Sequence, residues 1–240
     1  MKRVDHRGEA ALSRIGYVLW EEGGRGVARR AWRRLSRRPV YRRLLVVEYS
    51  LRDIPITRPR VNVTFGELHP SEFEALIALR PFLTEEVIRL RLRNGHRFYV
   101  ARRDGRIVHS QVVAVGKAYS GYLEIAFPLA PDEVYCYEAY TVPEHRGKRL
   151  SPAGRAFIAR EMERMGYGRA LAFIAPKNYP AVRAALRDDG QVRGHIGFVE
   201  VAGVRRYFYR VRKGGFGLLQ NGLLVPMERF VPMEIQGTIW

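Results

Sequence analysis

From Val134 to Ala153 the chain reads Val-Tyr-Cys-Tyr-Glu-Ala-Tyr-Thr-Val-Pro-Glu-His-Arg-Gly-Lys-Arg-Leu-Ser-Pro-Ala. The apolar, aromatic-rich part predicts a strand over 133–141. A short basic loop containing Gly147 follows, and Ser151-Pro152 opens a predicted helix running to Met165. Ser is a favoured N-cap, and Pro suits the first turn, where its missing N–H loses no bond. Strand, amide-rich turn and helix N-terminus together favour a phosphorylated anion, because free N–H groups and the helix dipole both attract negative charge. Ser-Pro also starts helices that bind nothing. The anion reading therefore rests on Arg146, Lys148 and Arg149, more cation than a structural turn needs.

The rest of the chain bounds this reading. Its 240 residues suffice for one good-sized core. The one cysteine, Cys136, excludes an intramolecular disulfide and a cysteine-based zinc cage, and the six histidines show no metal-ligand spacing, so no metal is expected. No stretch approaches the roughly 18 to 20 apolar residues of a membrane span, and the charged first ten residues resemble no secretory signal. A cytoplasmic protein is expected. Its net charge of +18 is uneven: residues 1–60 hold 16 Lys/Arg against 6 Asp/Glu, and Arg25 to Arg43 includes nine arginines and no acid. Such a block suits an anionic partner, whether nucleic acid, a membrane surface bound peripherally or a carrier protein. It also suits a solvated helix face.

Residues 9–47 read as one or two helices, with Val27, Ala31 and Leu35 in an apolar stripe beside Trp32. Pro39, Pro55 and Pro59 punctuate a connection, which puts a boundary near residue 60. Beyond it the pattern predicts a strand over 61–68 and helices over 70–80 and 84–92. Two strands flank Asp104-Gly105, a strong hairpin signal, and residues 121–128 extend the sheet. After the 133–141 strand and its helix come a strand at 170–174, a helix over 179–187 and a hairpin from Phe198 to Val211. The order predicts an α/β (α+β) domain over 61–212, with a mixed, mostly antiparallel sheet flanked by helices. A basic helical extension and linker, 1–60, precedes it, and a tail, 213–240, follows.

Over 61–212 the element order and two motifs resemble the GNAT (GCN5-related) N-acetyltransferases. Thr141-Val-Pro-Glu-His-Arg-Gly-Lys-Arg-Leu-Ser151 is similar to the family's acetyl-CoA loop, Arg/Gln-x-x-Gly-x-Gly/Ala. Arg146 matches the leading Arg/Gln, Arg149 stands where the family prefers Gly, and Ser151 where it prefers Gly or Ala. Asn178-Tyr-Pro-Ala181, with Gly197-Phe198 downstream, resembles the family's Asn-x-x-Ala helix and Gly-Phe strand entry. Seven residues after Asn178, where many members carry a tyrosine, this chain has Ala185.

The resemblance implies direct transfer of acetyl from acetyl-CoA, as cosubstrate, to a small-molecule amine or peptide. It implies cofactor binding by Thr141, Val142, Arg146, Gly147, Lys148, Arg149, Leu150, Ser151 and Asn178. An amide around Thr141 or Val142 would polarise the thioester carbonyl. Glu138, expected to share a strand face with Cys136 and Tyr140, is the first choice of general base, with Glu124 a weaker one. A solvent-facing strand carboxylate is the alternative. Tyr179 and Tyr140 are the candidate general acids, and Cys136 reads as an inert core thiol. Two other functions stay open. One is a GNAT-like module without catalysis, binding nucleic acid or an anionic surface through its arginines. The other is an aminoacyl- or long-chain acyltransferase of related fold.

Overall fold

The computed structural model describes residues 39–211. The apolar stripe at 27–35, most of the arginine block and the tail at 213–240 lie outside the described residues. The described residues divide into two compact units, 39–41 with Phe198–Tyr207, and Arg42–Gly197 with 208–211.

The described part of the first unit is chiefly a hairpin turning at Ala202–Gly203, where both φ angles are positive. Arg205 donates to Glu200 at 2.8 Å and lies over the Phe198 ring at 4.1 Å, and Phe198 meets Tyr207 edge-on.

The helix expected through residue 47 does not form there. Val40–Ser50 is a strand, β1, so the extension drawn to residue 60 contains a strand of the sheet. Its Val46, Val47 and Tyr49 are buried, and the run Leu44–Val47 is too apolar on both faces for a solvated helix. Next come β2 (Thr64–Glu67), α1 (Phe73–Leu79), α2 (Glu85–Arg93), β3 (Arg97–Arg103) and β4 (Arg106–Val115). Then follow β5 (Lys117–Ser120), β6 (Ile125–Pro128), β7 (Glu133–Thr141), α3 (Leu150–Arg164), β8 (Arg169–Ile174), α4 (Tyr179–Arg187), β9 (Gln191–Val201) and β10 (Val204–Val211). The strand order is β10-β9-β1-β8-β7-β4-β3-β2. Within it β7 and β8 run parallel, while β1–β8, β2–β3, β3–β4 and β4–β7 are antiparallel.

Local chemistry explains the elements. Thr84 caps α2 by accepting from the Val87 amide at 3.3 Å, and Asp104–Gly105 takes two positive φ angles in the β3–β4 turn. The period-2 alternation of the strands then feeds two cores. Phe98, Val100 and Val112 pack with Leu76 and Ile88 of α1 and α2, whereas Tyr99, Val113 and Val134 pack with Ile158 and Met162 of α3. Residues 121–128 do not extend the main sheet. β6 pairs with β5 in a separate two-stranded ribbon. No helix among the described residues is long and apolar enough to cross a membrane.

Candidate active site

The parallel pair β7–β8 is registered at Glu133–Arg169, Val134–Ala170 and Tyr135–Leu171, and no further. Beyond that point β7 continues to Thr141 and β8 to Ile174, each held by its other neighbour. Two strands that share an edge and then part leave backbone groups facing a gap. The gap opens into a cleft of about 1030 Å³, floored by Cys136, Ala170 and Ala172 and walled by the starts of α3 and α4.

On the β7 side, Val142 donates its amide to Val108 at 3.1 Å. That amide is committed to β4 and cannot polarise a carbonyl in the cleft, which corrects half of the expected pair. One residue earlier in the alternation, Thr141 turns its backbone groups to the opposite edge, where its carbonyl accepts from Arg146 Nε at 3.2 Å. Thr141 is thus the residue whose amide faces the gap. Its hydroxyl is paired with Nδ1 of His109 at 2.8 Å.

The basic loop closes one end of the cleft. The amides of Gly147 to Ser151 donate to no acceptor among the described residues. Gly147 has φ +75 with nothing within 4 Å of where a Cβ would sit, so the residue serves the backbone angle, not space. The expected cap is misplaced. α3 begins at Leu150, with Arg149 at the N-cap position in the left-handed region at φ 59 and no side-chain cap. Ser151 lies inside the first turn, where its hydroxyl accepts from Arg155 at 3.1 Å. The departure at Arg149 therefore has a backbone meaning: the position requires a left-handed angle that glycine meets without strain and arginine does not. The Arg149 side chain is exposed and lines the cleft without closing it. Arg58, Arg146, Arg149 and Arg187 all line the cleft and pair with no carboxylate among the described residues, so the electrostatics favour an anion.

The other expected residues are placed as follows. Asn178 lines the cleft and caps α4, its Oδ1 accepting from the Ala181 amide at 3.3 Å. Tyr140 lines the cleft, with guanidinium groups of Arg80 and Arg146 at 5.0 and 6.0 Å from its ring. Tyr179 is 63% exposed and not among the cleft residues, because at the first position of α4 it projects to solvent while Pro180, Ala181 and Ala184 face inward. It is unsuited to protonate a leaving group there. Glu124 lines no described cavity and accepts from Arg42 at 3.1 Å. Burial pushes the Cys136 thiol up to about 12, so it is no nucleophile near neutral pH.

Glu138 is the largest correction. The β4–β7 register jumps between Ser110–Tyr140 and Val112–Tyr137, and Glu138 sits in the resulting bulge at φ 51. The bulge breaks the alternation that would have aligned Glu138 with Cys136 and Tyr140. Arg91 Nη1 and Nη2 donate to its two carboxylate oxygens at 2.8 and 2.9 Å. Arg80 donates to its backbone carbonyl at 3.0 Å and comes within 3.9 Å of the carboxylate. Both carboxylate oxygens are thus occupied by one guanidinium with a second close by, and the group is committed to a structural ion pair. It anchors the bulge.

No protein-family model and no curated protein sequence matches the chain. Solved structures do. A Drosophila protein is 12% identical over 74% of this chain and 55% of its own, with a TM-score of 0.50. A GCN5-related N-acetyltransferase from Kribbella flavida is 17% identical over 66% of this chain and 59% of its own, at 0.45. The aminoglycoside N-acetyltransferase AAC(6')-Iy, solved with a CoA-linked bisubstrate analogue, is 12% identical over 53% of this chain and 90% of its own, at 0.44. The chain has the GNAT fold. At such identities the likeness speaks to the fold alone.

Several residues in and around the cleft escape sequence reasoning. Arg80 and Arg91 are 7% and 4% exposed. Arg91 had a signal: with Val87 and Ile88 it falls on the apolar face of α2, where an unpaired charge is costly. Arg155 donates through Nε to Asp188 at 2.8 Å, tying the first turns of α3 to the end of α4 across the cleft wall. Tyr49 enters from β1, the strand read as helix. Ala185, where many GNAT members carry a tyrosine, is buried in the core cluster that also holds Tyr49.

Proposed function

We propose that this chain is an acyl-CoA-dependent N-acyltransferase, with acetyl-CoA as its cosubstrate. The observation that carries the reading is the parting of β7 from β8 beyond Tyr135–Leu171, with an amide-rich cationic loop at the same end. When bound, the cosubstrate supplies an acyl group already activated as a thioester. The residues present fit its diphosphate. The amides of Gly147 to Ser151 would receive its oxygens, and Arg146, Lys148 and Arg149 would neutralise its charge. Asn178 and the inward face of α4 would flank the pantetheine arm.

Each remaining task has a residue. The Thr141 amide, directed into the gap, polarises the acyl carbonyl and takes up charge that develops on its oxygen. The buried His109 ring holds the Thr141 hydroxyl, and through it the end of β7. Tyr140 is the hydroxyl on the cleft wall assigned to return a proton to the departing sulfur. Glu138 keeps the bulge in place through Arg80 and Arg91. Isothermal titration with acetyl-CoA tests the reading. We expect saturable binding in the micromolar range, about tenfold weaker for Arg146→Ala. Absence of heat at high micromolar protein and ligand would remove the proposal.

A further inference from the structure

A second cavity, of about 540 Å³, shares Tyr137, Glu138, Phe173 and Ala175 with the cleft and is otherwise lined by different residues. The two cavities therefore meet at the bulge, where β7 has left β8. The outer wall of the second one comes from the β5–β6 turn, which the cleft does not use.

Its walls are rings. Phe173 and Tyr135 lie 5.1 Å apart, and Tyr135 stacks on Tyr137 at 5.4 Å with 14° between the planes. Phe82 and Tyr122, at the rim, are 55% and 50% exposed, an unusual outlay of aromatic surface for a loop. Both are held in place. The Arg80 guanidinium lies 4.5 Å from the Phe82 centroid, and Arg42 lies over Tyr122 while donating to its carbonyl at 2.6 Å. Rigid rings open to solvent form a preorganised slot for a flat apolar body.

The charges narrow the choice. The cavity's ionisable lining other than tyrosine is Arg91, Glu138 and His96. Burial and the neighbouring Arg91 hold His96 down at about 4, so it is neutral at physiological pH, with Nδ1 bonded to the Tyr137 hydroxyl at 2.5 Å. Glu138 is engaged by Arg91 and faced by Arg80. No carboxylate is left for a second ammonium group, and two guanidinium groups against one carboxylate favour a neutral amine over an ammonium. A polyamine or an aminoglycoside needs the opposite arrangement.

We propose that this aromatic cavity binds the acyl acceptor, and that the acceptor is an aromatic monoamine with no second cationic centre. Its chemistry rests on the acyltransferase reading; its binding does not. The ring body lies against Tyr135, Tyr137 and Phe173, and the nitrogen reaches toward Glu138, where the cavities join. In the transfer the nitrogen lone pair forms the C–N bond, the C–S bond breaks, and the proton lost by nitrogen ends on the thiolate. Thus Arg80 and Arg91 assist by lowering the basicity of the bound amine, and no strong general base is required.

The test is calorimetric binding of 2-phenylethylamine and of spermidine to the full chain, with and without CoA, in the parent protein and in Tyr122→Ala and Phe82→Ala. Both substitutions are at rim positions that are 50% and 55% exposed, outside the buried core. We expect 2-phenylethylamine to bind at least about tenfold more tightly than spermidine and to lose about fivefold or more in each variant, with CoA affinity unchanged. Equal or tighter spermidine binding, or an aromatic amine indifferent to both substitutions, would overturn the proposal while CoA binding leaves the acyltransferase reading standing. Failure of CoA to bind would strike that reading instead, and the amine titrations without CoA would still decide the cavity.

Discussion

Glu138 adopts a left-handed backbone angle in the middle of a strand, and its side chain and carbonyl are both gripped by buried arginines. Strain of this kind persists where the surroundings over-determine it. Removing one partner of a largely buried pair leaves a charge without compensation, whereas replacing both can be nearly neutral. Arg91→Met is therefore expected to cost on the order of 3 kcal/mol in urea unfolding, and the double variant Arg91→Met, Glu138→Met to recover more than half of it. If the two single losses simply add, the pair is not what holds the bulge. The pairing of Glu138 was hidden in the sequence because Arg91 and Glu138 stand 47 positions apart. Only folding reveals which arginine of 42 Lys/Arg residues a carboxylate will meet.

At the level of elements, the loop into α3 carries opposed demands. Its left-handed angle at Arg149 is strained, while its guanidinium lines a cleft that favours anions. Arg149→Gly should therefore raise stability by about 1 kcal/mol while weakening CoA binding several-fold. Thermal melts and calorimetry on the same variant check the two signs. A rise in both stability and affinity would mean that the arginine contributes no charge to the site. The sequence showed the loop as cationic and glycine-containing, but the helix start, two residues before the expected one, was not legible. Ser151-Pro152 is a sound start signal, but Ser151 lies inside the first turn, where its hydroxyl accepts from Arg155 one turn further along the same helix. The ribbon β5–β6 was also misread. Alternation shows that a segment is a strand, not which strand it will pair with.

At the scale of the whole molecule, buried neutral histidines link stability to pH. His109 is 1% exposed, its Nε2 is unpaired, and a Cβ on Gly154 would come within 3.0 Å of that atom. Burial first, then the charge of Arg155, lowers it to about 4, and burial with Arg91 does the same for His96. Between about 4 and the unfolded value of about 6.5, the unfolded chain binds more protons than the folded one. Stability is therefore full above pH 6.5 and declines as pH falls toward 4, by up to roughly 3 kcal/mol for His109. The melting temperature should drop between pH 7 and pH 4.5, and His109→Gln should flatten that profile. An unchanged slope in the variant would assign the acid sensitivity elsewhere.

The sequence by itself determined most elements, the Asp104–Gly105 turn and the cationic loop at 146–149, because propensity, turn chemistry and hydrophobic period act over a few residues. Tertiary structure alone decided that Val40–Ser50 joins the sheet, that β7 leaves β8 after Tyr135, that a bulge turns Glu138 toward Arg91, and that an aromatic cavity meets the cleft there. Each of these depends on which distant segments come into contact, and local patterning carries no information about that choice.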